Sequence, residues 1–371
     1  KFGFCPTSYA QDRVTIGKIH EGGQAINHHQ FPGVAQGRMF TSPNQFRDAN
    51  DRDNRRALDD DHVYTTIEIK ILKMTSYVLT LIGNETSTPL ETNHIERVSL
   101  CLQTVSNTDW LADNEACDIF FNSPLTPAEI TKQVHQVLSE TKIDAVCTPV
   151  MGRRKKLLMS DMDSTIIHQE CINELADAIG VGDQIGEITD RVISGQINFG
   201  EALRQRMALM KGMEFSVLER VYEERVTLMP GARTMVQTMA HHGAYCILVS
   251  GGFTFFTEKI AELIGFHDHQ GNDLVFKDGK LTGEVLDPIL GRTAKLETLK
   301  ALCQEKNLDI FETLAVGDGA NDIKMIKEAG LGVAIHGSES LKENANAWVD
   351  HGDLTALLYI QGYHKSEFVS T

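Results

Sequence analysis

Five consecutive residues, Asp161-Met162-Asp163-Ser164-Thr165, concentrate the chemistry of this chain. Two carboxylates two positions apart, where a strand runs out, point at one small volume. The run before them, Leu157-Leu158-Met159-Ser160, has the length and apolarity of a buried strand. So dense a negative charge calls for a cation. Mg²⁺ suits it, because it takes hard oxygen ligands and is usually shared between carboxylates and phosphate oxygens. One carboxylate is then placed to attack phosphorus and form an aspartyl-phosphate. The other is placed to act as general acid and base. Alone, the same pattern also fits a plain turn with a helix N-cap.

Three later segments shift the balance toward chemistry. Tyr245-Cys246-Ile247-Leu248-Val249 reads as a second apolar strand and ends in Ser250-Gly251-Gly252. A hydroxyl followed by two glycines lets backbone N–H groups come close to an anion, and a helix starting near Thr254 adds its positive end. Thr313-Leu314-Ala315-Val316 reads as a third strand and ends in Gly317-Asp318-Gly319-Ala320-Asn321-Asp322. Between them Lys295 opens an amphipathic helix carrying Leu296, Leu299 and Leu302. A lone Ser-Gly-Gly or Gly-Asp-Gly is ordinarily a turn. Polar clusters repeated at the carboxyl ends of parallel strands are where open α/β sheets bind ligands.

The set formed by DMDST, SGG, Lys295 and GDGAND resembles the haloacid dehalogenase superfamily of phosphatases, over roughly the last two hundred residues. The resemblance implies a HAD-like, Rossmann-type parallel sheet with a helical cap inserted after the first strand, at about residues 170–228. It implies Asp161 as nucleophile and Asp163 as general acid and base. It implies Mg²⁺ held by Asp161, the backbone carbonyl of Asp163, and Asp318. Ser250, the Gly251 N–H and Lys295 would hold phosphoryl oxygens, and Asn321 would touch phosphate or substrate. Asp322 would orient Lys295 or a metal-bound water. In the phosphoserine-hydrolysing members, a Glu at the position of Glu170 meets the substrate ammonium and an Arg at the position of Arg206 grips its carboxylate. Arg204, two residues away, is the alternative to Arg206, and His168 is expected to be a loop residue at the cleft mouth. The implied substrate is O-phosphoserine. A phosphotransferase passing phosphate to another alcohol would carry the same motifs. An amino-acid sensor with an inert catalytic half is a third reading, which the intact Asp161, Asp163, Lys295 and Asp318 oppose.

Around this half, composition sets the frame. The chain has 371 residues, too many for one ordinary domain, with 42% hydrophobic residues and a formal net charge of -16. That charge argues against nucleic-acid or membrane partners, and no apolar run reaches the ~20 residues needed to span a bilayer. Seven scattered cysteines without a CxxC fit reduced thiols in a cytoplasmic protein. Residues 1–73 are rich in Asn, Asp, Arg, Gln and His, lack sustained periodicity, and are expected to be a disordered leader, with Met74 as the natural start. Residues 74–152 read as a small α+β, ferredoxin- or ACT-like domain. Its expected elements are strands at 77–82, 116–121 and 143–150 and helices at 92–105 and 127–141, with room for one more strand. It holds no catalytic cluster, so a regulatory, dimerising or merely assembling role is expected, and a homodimer is allowed. The catalytic domain is expected over 153–371, and the basic run Arg153-Arg154-Lys155-Lys156 is expected to be a solvated linker. A hairpin around Asp278-Gly279 is expected at the sheet edge or in the lid.

Overall fold

The computed structural model describes residues 74–102 and 104–370. The expected leader, 1–73, lies outside the described residues. From Thr75 onward the chain forms one compact unit.

The first part runs β1 (Thr75–Ile82), α1 (Thr92–Leu102), β2 (Val105–Ala112), β3 (Ala116–Ser123), α2 (Pro127–Val137) and β4 (Asp144–Pro149). The sheet order is β2-β3-β1-β4, and every neighbour is antiparallel. This β-α-β-β-α-β order is ferredoxin-like. The helix expected over 92–105 stops at Leu102, and Val105 already belongs to β2. The start of α2 follows from its sequence. The Thr126 hydroxyl accepts from Glu129 N at 3.3 Å, Glu129 Oε2 accepts from Thr126 N at 2.8 Å, and Pro127 fills the first turn.

Strand alternation assigns the two faces of this sheet to different partners. Tyr77, Leu79, Leu81, Ile119 and Phe121 pack on α1 and α2 through Ile95, Val98, Ile130 and Val134. Ile82, Ala116 and Val146, on the opposite face, join the core of the catalytic half.

The catalytic half begins with β5 (Leu157–Ser160). Four cap helices follow: α3 (Cys171–Ile179), α4 (Gly182–Ile193), α5 (Phe199–Leu209) and α6 (Phe215–Arg225). Then come α7 (Ala232–His241), β6 (Tyr245–Phe253), α8 (Thr254–Ile264), β7 (Asp268–Asn272), β8 (Leu274–Lys277), β9 (Lys280–Val285), α9 (Arg292–Glu305) and β10 (Thr313–Gly317). The chain closes with α10 (Ile323–Glu328), β11 (Leu331–Ile335), α11 (Glu339–Lys342), β12 (Ala347–Val349) and α12 (Ala356–Ile360). The sheet order is β12-β11-β10-β5-β6-β7, all parallel, so the ends of β5, β6 and β10 lie side by side. The cap is tethered by two crossing segments, paired by an Ile167–Leu228 bridge and by His168 N donating to Thr227 O at 3.0 Å.

Of the two places expected for the β8–β9 hairpin, it takes the one with the cap and not the edge of the main sheet, where β7 lies. It is a separate two-stranded sheet bonded to the α5–α6 turn, with Leu281 N donating to Met213 O and Phe215 N to Gly279 O, and Phe276 meeting Phe215 edge-on. The basic run is not the solvated linker expected. Arg153 pairs with Asp118, which is only 1% exposed. Its guanidinium also donates to Thr80 Oγ1 at 2.7 Å and to the carbonyls of Tyr359 and Ile360 at 3.0 and 2.7 Å. Lys155 Nζ donates to Gly152 O and Phe311 O, and Lys156 pairs with Glu312. Arg153 ties the first sheet to the catalytic half, and the two lysines bind the run to the segment before β10 and to Gly152.

Candidate active site

Asp161 is the residue after β5 and is buried. Its Oδ1 accepts from Met162 N at 2.7 Å, and its Oδ2 takes the Lys295 ammonium at 2.7 Å and Asn321 Nδ2 at 3.2 Å. Lys295, in the first turn of α9, is wholly buried and also pairs with Asp322 Oδ1 at 2.7 Å. Burial alone would lower this ammonium, but Asp161 and Asp322 outweigh it and hold it above the ordinary lysine range. Two of its three N–H donors serve these carboxylates.

Asp163 is turned the other way. Its Oδ1 accepts from Cys171 N at 3.0 Å, at the start of α3, and its Oδ2 accepts from Ser250 Oγ at 3.1 Å. Burial pushes its carboxyl up to about 6, and the charge of Asp161 adds to the rise, while the bonds from Cys171 and Ser250 oppose it. Ser250, at the end of the straight part of β6, also accepts from Gly252 N at 2.8 Å. Gly252 has a steric reason to be glycine. A Cβ there would lie 2.7 Å from Asp163 Oδ2 and 3.1 Å from Ser250 Oγ. Gly251 sits under Phe199 of the cap.

Asp318 follows β10, and its Oδ1 accepts from Thr165 Oγ1 at 2.8 Å. Burial and then Asp161 push its carboxyl up to about 6. Asp322, wholly buried, also accepts from Gly319 N at 3.2 Å. Burial and Asp161 push it upward, and Lys295 opposes them. Gly317 must be small for this residue, because a Cβ there would meet Asp322 Cγ at 2.4 Å.

Asp161, Asp318 and Asp322 each offer a carboxylate oxygen, and these oxygens lie within 4.8 Å of one another. Three hard oxygen donors with one ammonium among them leave a negative excess that a divalent cation fits. Of the expected ligands, Asp161 and Asp318 are in this grouping of side chains, and the expected donor at Asp163 is a backbone carbonyl, which such a grouping does not include. Asp322 is in it, although Lys295 and Gly319 N already occupy both its oxygens.

The cap contributes two opposite charges. Glu170 is the N-cap residue of α3, and its Oε1 accepts from Ser164 Oγ at 2.8 Å. Much of Glu170 is exposed. Lost hydration around its carboxyl, followed by the charge of Asp163, still pushes it up to about 7, and Arg206 is among the groups that oppose the rise. Arg206, on α5, is half-buried and donates through Nη2 to Thr189 Oγ1 at 2.7 Å. Arg204, the alternative, faces outward and pairs with Asp287 at 2.7 Å, both side chains being well exposed. His168 is exposed. Ser164, Thr165, Thr189 and Phe199 were missed as supporting residues. Ser164 and Thr165 stand inside the DMDST signature itself. Thr189 and Phe199 carry no pattern of their own.

The sequence profile of the haloacid dehalogenase-like hydrolases matches residues 158–327. A phosphoserine phosphatase from Methanocaldococcus jannaschii is 37% identical over 208 residues, 56% of this chain and 98% of that protein. The chain belongs to the haloacid dehalogenase-like hydrolases. Two solved structures place it among the phosphatases of this family. One, described as a phospho-aspartyl intermediate analogue of phosphoserine phosphatase, is 37% identical with a TM-score of 0.52, covering 56% of this chain and 98% of its own. The other, a probable phosphoserine phosphatase from Vibrio cholerae, is 27% identical with a TM-score of 0.64, covering 79% of this chain and 88% of its own. This family member is thus an enzyme of phosphatase type, and the match to the second structure reaches beyond the residues of the family profile. Among the described residues, no helix is long and apolar enough to cross a membrane.

Proposed function

We propose that the enzyme hydrolyses O-phospho-L-serine to L-serine and phosphate through an aspartyl-phosphate on Asp161, the final step of serine biosynthesis. The observation that carries the proposal is the division of labour between two carboxylates. Asp161 is fixed by Lys295, Asn321 and Met162 N, while Asp163 is held apart by Cys171 N and Ser250 and raised toward neutrality. A carboxyl raised by its surroundings can hold and pass on a proton beside a second carboxylate fixed for attack.

In the first step an Asp161 oxygen attacks phosphorus in line, and the bond from phosphorus to the serine oxygen breaks. Protonated Asp163 gives its proton to that oxygen. In the second step ionised Asp163 takes a proton from water, whose oxygen attacks phosphorus. The bond to Asp161 breaks and phosphate leaves. Ser250, the Gly251 N–H and the remaining N–H of Lys295 hold the non-bridging oxygens, where charge spreads in the transition state. Asn321 holds Asp161 and faces the phosphate. Asp161, the Asp163 carbonyl and Asp318 would hold Mg²⁺, with Asp322 steering Lys295, and the ion would neutralise phosphoryl charge. Glu170 meets the substrate ammonium and Arg206 its carboxylate, an opposite pair suited to an amino acid.

The cysteines among the described residues are all free, which supports the cytoplasm as the place of action. The test is phosphate release from a panel of phosphomonoesters, with Mg²⁺ or with EDTA. O-phosphoserine should be preferred and EDTA should abolish turnover. Quantitative transfer of phosphate to an added alcohol, with no free phosphate, would support a phosphotransferase instead.

A further inference from the structure

Arg206 is a long side chain asked to hold a planar fork still inside a cleft. Its Nη2 is anchored on Thr189 Oγ1 at 2.7 Å, and its Nε is buried with no hydrogen-bond partner among the described residues. A buried N–H left unpaired in the free enzyme is costly unless a ligand completes it. Thr189 is built to be the anchor. Its own hydroxyl donates to Ile185 O at 3.0 Å, one turn back along α4. That bond uses the only hydroxyl proton, so the lone pairs are left for the guanidinium. A β-branched residue on a helix also has little rotamer freedom, so the acceptor stays in place. The contact is not what holds α4 to α5, because Arg191 Nη1 donates to Gln205 Oε1 at 2.9 Å between the same two helices.

We propose that Thr189 is a positioning residue for substrate selection. Its hydroxyl oxygen fixes the Arg206 guanidinium by one N–H of Nη2, leaving the remaining guanidinium N–H donors for the carboxylate of a phosphorylated amino acid. The inference rests on the phosphoserine reading above and adds a residue that touches no substrate atom.

The test compares O-phosphoserine with O-phosphoethanolamine, which keeps the phosphate and ammonium but lacks the carboxylate. In Thr189→Val, KM for O-phosphoserine should rise about ten-fold with kcat within about two-fold, the pattern of lost uniform binding through a charged contact. O-phosphoethanolamine should show no comparable change in kcat/KM. Thr189→Ser keeps the acceptor and should restore KM for O-phosphoserine. Thr189→Ala carries the same comparison if the valine variant melts early. Equal losses on both esters, an unchanged KM for O-phosphoserine, or failure of serine to restore it would overturn the inference. A parent enzyme that does not prefer O-phosphoserine would instead overturn the phosphoserine reading itself, and that result is visible before any variant is made.

Discussion

Replacing Arg153 with methionine should destabilise everything from Thr75 onward as one unit. Asp118 is 1% exposed and the Arg153 side chain 11% exposed, so water cannot replace the lost guanidinium. The substitution leaves Asp118 buried with only Thr80 Oγ1 as a donor, at 2.8 Å, and removes a donor from the carbonyls of Tyr359 and Ile360. Breaking one side of a buried ion pair costs about 3–5 kcal/mol. For a unit of this size each kcal/mol moves Tm by about 2–4 °C, so Tm should fall by roughly 6–20 °C. Neutralising the stranded carboxylate by Asp118→Asn in the same background should recover part of the loss, because the amide has no charge to hydrate. The assay is urea denaturation followed through the chain's two tryptophans, Trp110 on β2 and Trp348 on β12, each isolated by changing the other to Phe. The two probes should report one shared transition in parent and variant. A loss below about 1 kcal/mol would refute the buried-pair argument, and separate transitions for Trp110 and Trp348 would refute the shared core.

Asp161→Asn should fold with the parent's Tm within a few degrees and show no measurable turnover, since an amide cannot form the acyl phosphate; a beryllium fluoride adduct on the parent Asp161 checks the site directly. Arg206→Ala should weaken O-phosphoserine hydrolysis by about 1.5–3 kcal/mol in kcat/KM, with a far smaller loss on an ester lacking a carboxylate; equal losses would show that Arg206 does not read that group. Stability should fall as pH drops below the ordinary histidine range, in part through His135. Burial lowers its pKa, with Asp144 and Asp350 opposing and His351 and Lys342 assisting, its Nε2 is buried without a partner, and it stacks on Trp348 at 4.9 Å. The unfolded chain therefore binds a proton that the folded chain refuses, from about pH 6.5 down to the lowered folded value, and stability is lost across that window as pH falls. His135→Phe keeps the stack and should flatten the slope in pH-dependent melts.

The strand-end chemistry was legible because each part is local. Asp161, Ser250 and Asp318 directly follow apolar runs, and a short run that ends in a polar cluster announces a parallel strand without reference to anything distant. Two edge strands, β2 and β7, gave no such signal. β2 reads Val-Ser-Asn-Thr-Asp-Trp-Leu-Ala and β7 reads Asp-His-Gln-Gly-Asn. Each lies at the end of its sheet, so water competes for one side and clean alternation is not required. The proposed roles of the two cap charges come only from the family resemblance, since a charge on a helix has the same pattern whether it faces solvent or substrate. Residues two apart point to different faces of a helix, and here Arg204 pairs outward with Asp287 while the half-buried Arg206 donates to Thr189. Arg153 could not be read correctly from its neighbours. A run of four cations looks solvated, and its partner Asp118 is a strand residue 35 positions earlier, on a face that only the tertiary structure buries.

The same pairing changes what the first sheet is. A freestanding ferredoxin-like unit covers one sheet face with its two helices and leaves the other free for a partner. Here that second face is taken by the catalytic half, and polar ties seal its border. Asp144, buried at the start of β4, accepts from the main-chain N–H groups of Asp350, His351 and Gly352 at 2.7–3.3 Å, just beyond β12. Arg153 supplies donors to the last carbonyls of α12, which an isolated helix end would leave to water. Lys365 reaches back to Glu115 and Glu85. Each tie satisfies backbone or carboxylate groups of one part with donors of the other, so neither part completes its own hydrogen bonding alone. Residues with no place in the chemistry thereby hold the C-terminal edge of the sheet whose central strands, β5, β6 and β10, carry Asp161, Ser250 and Asp318.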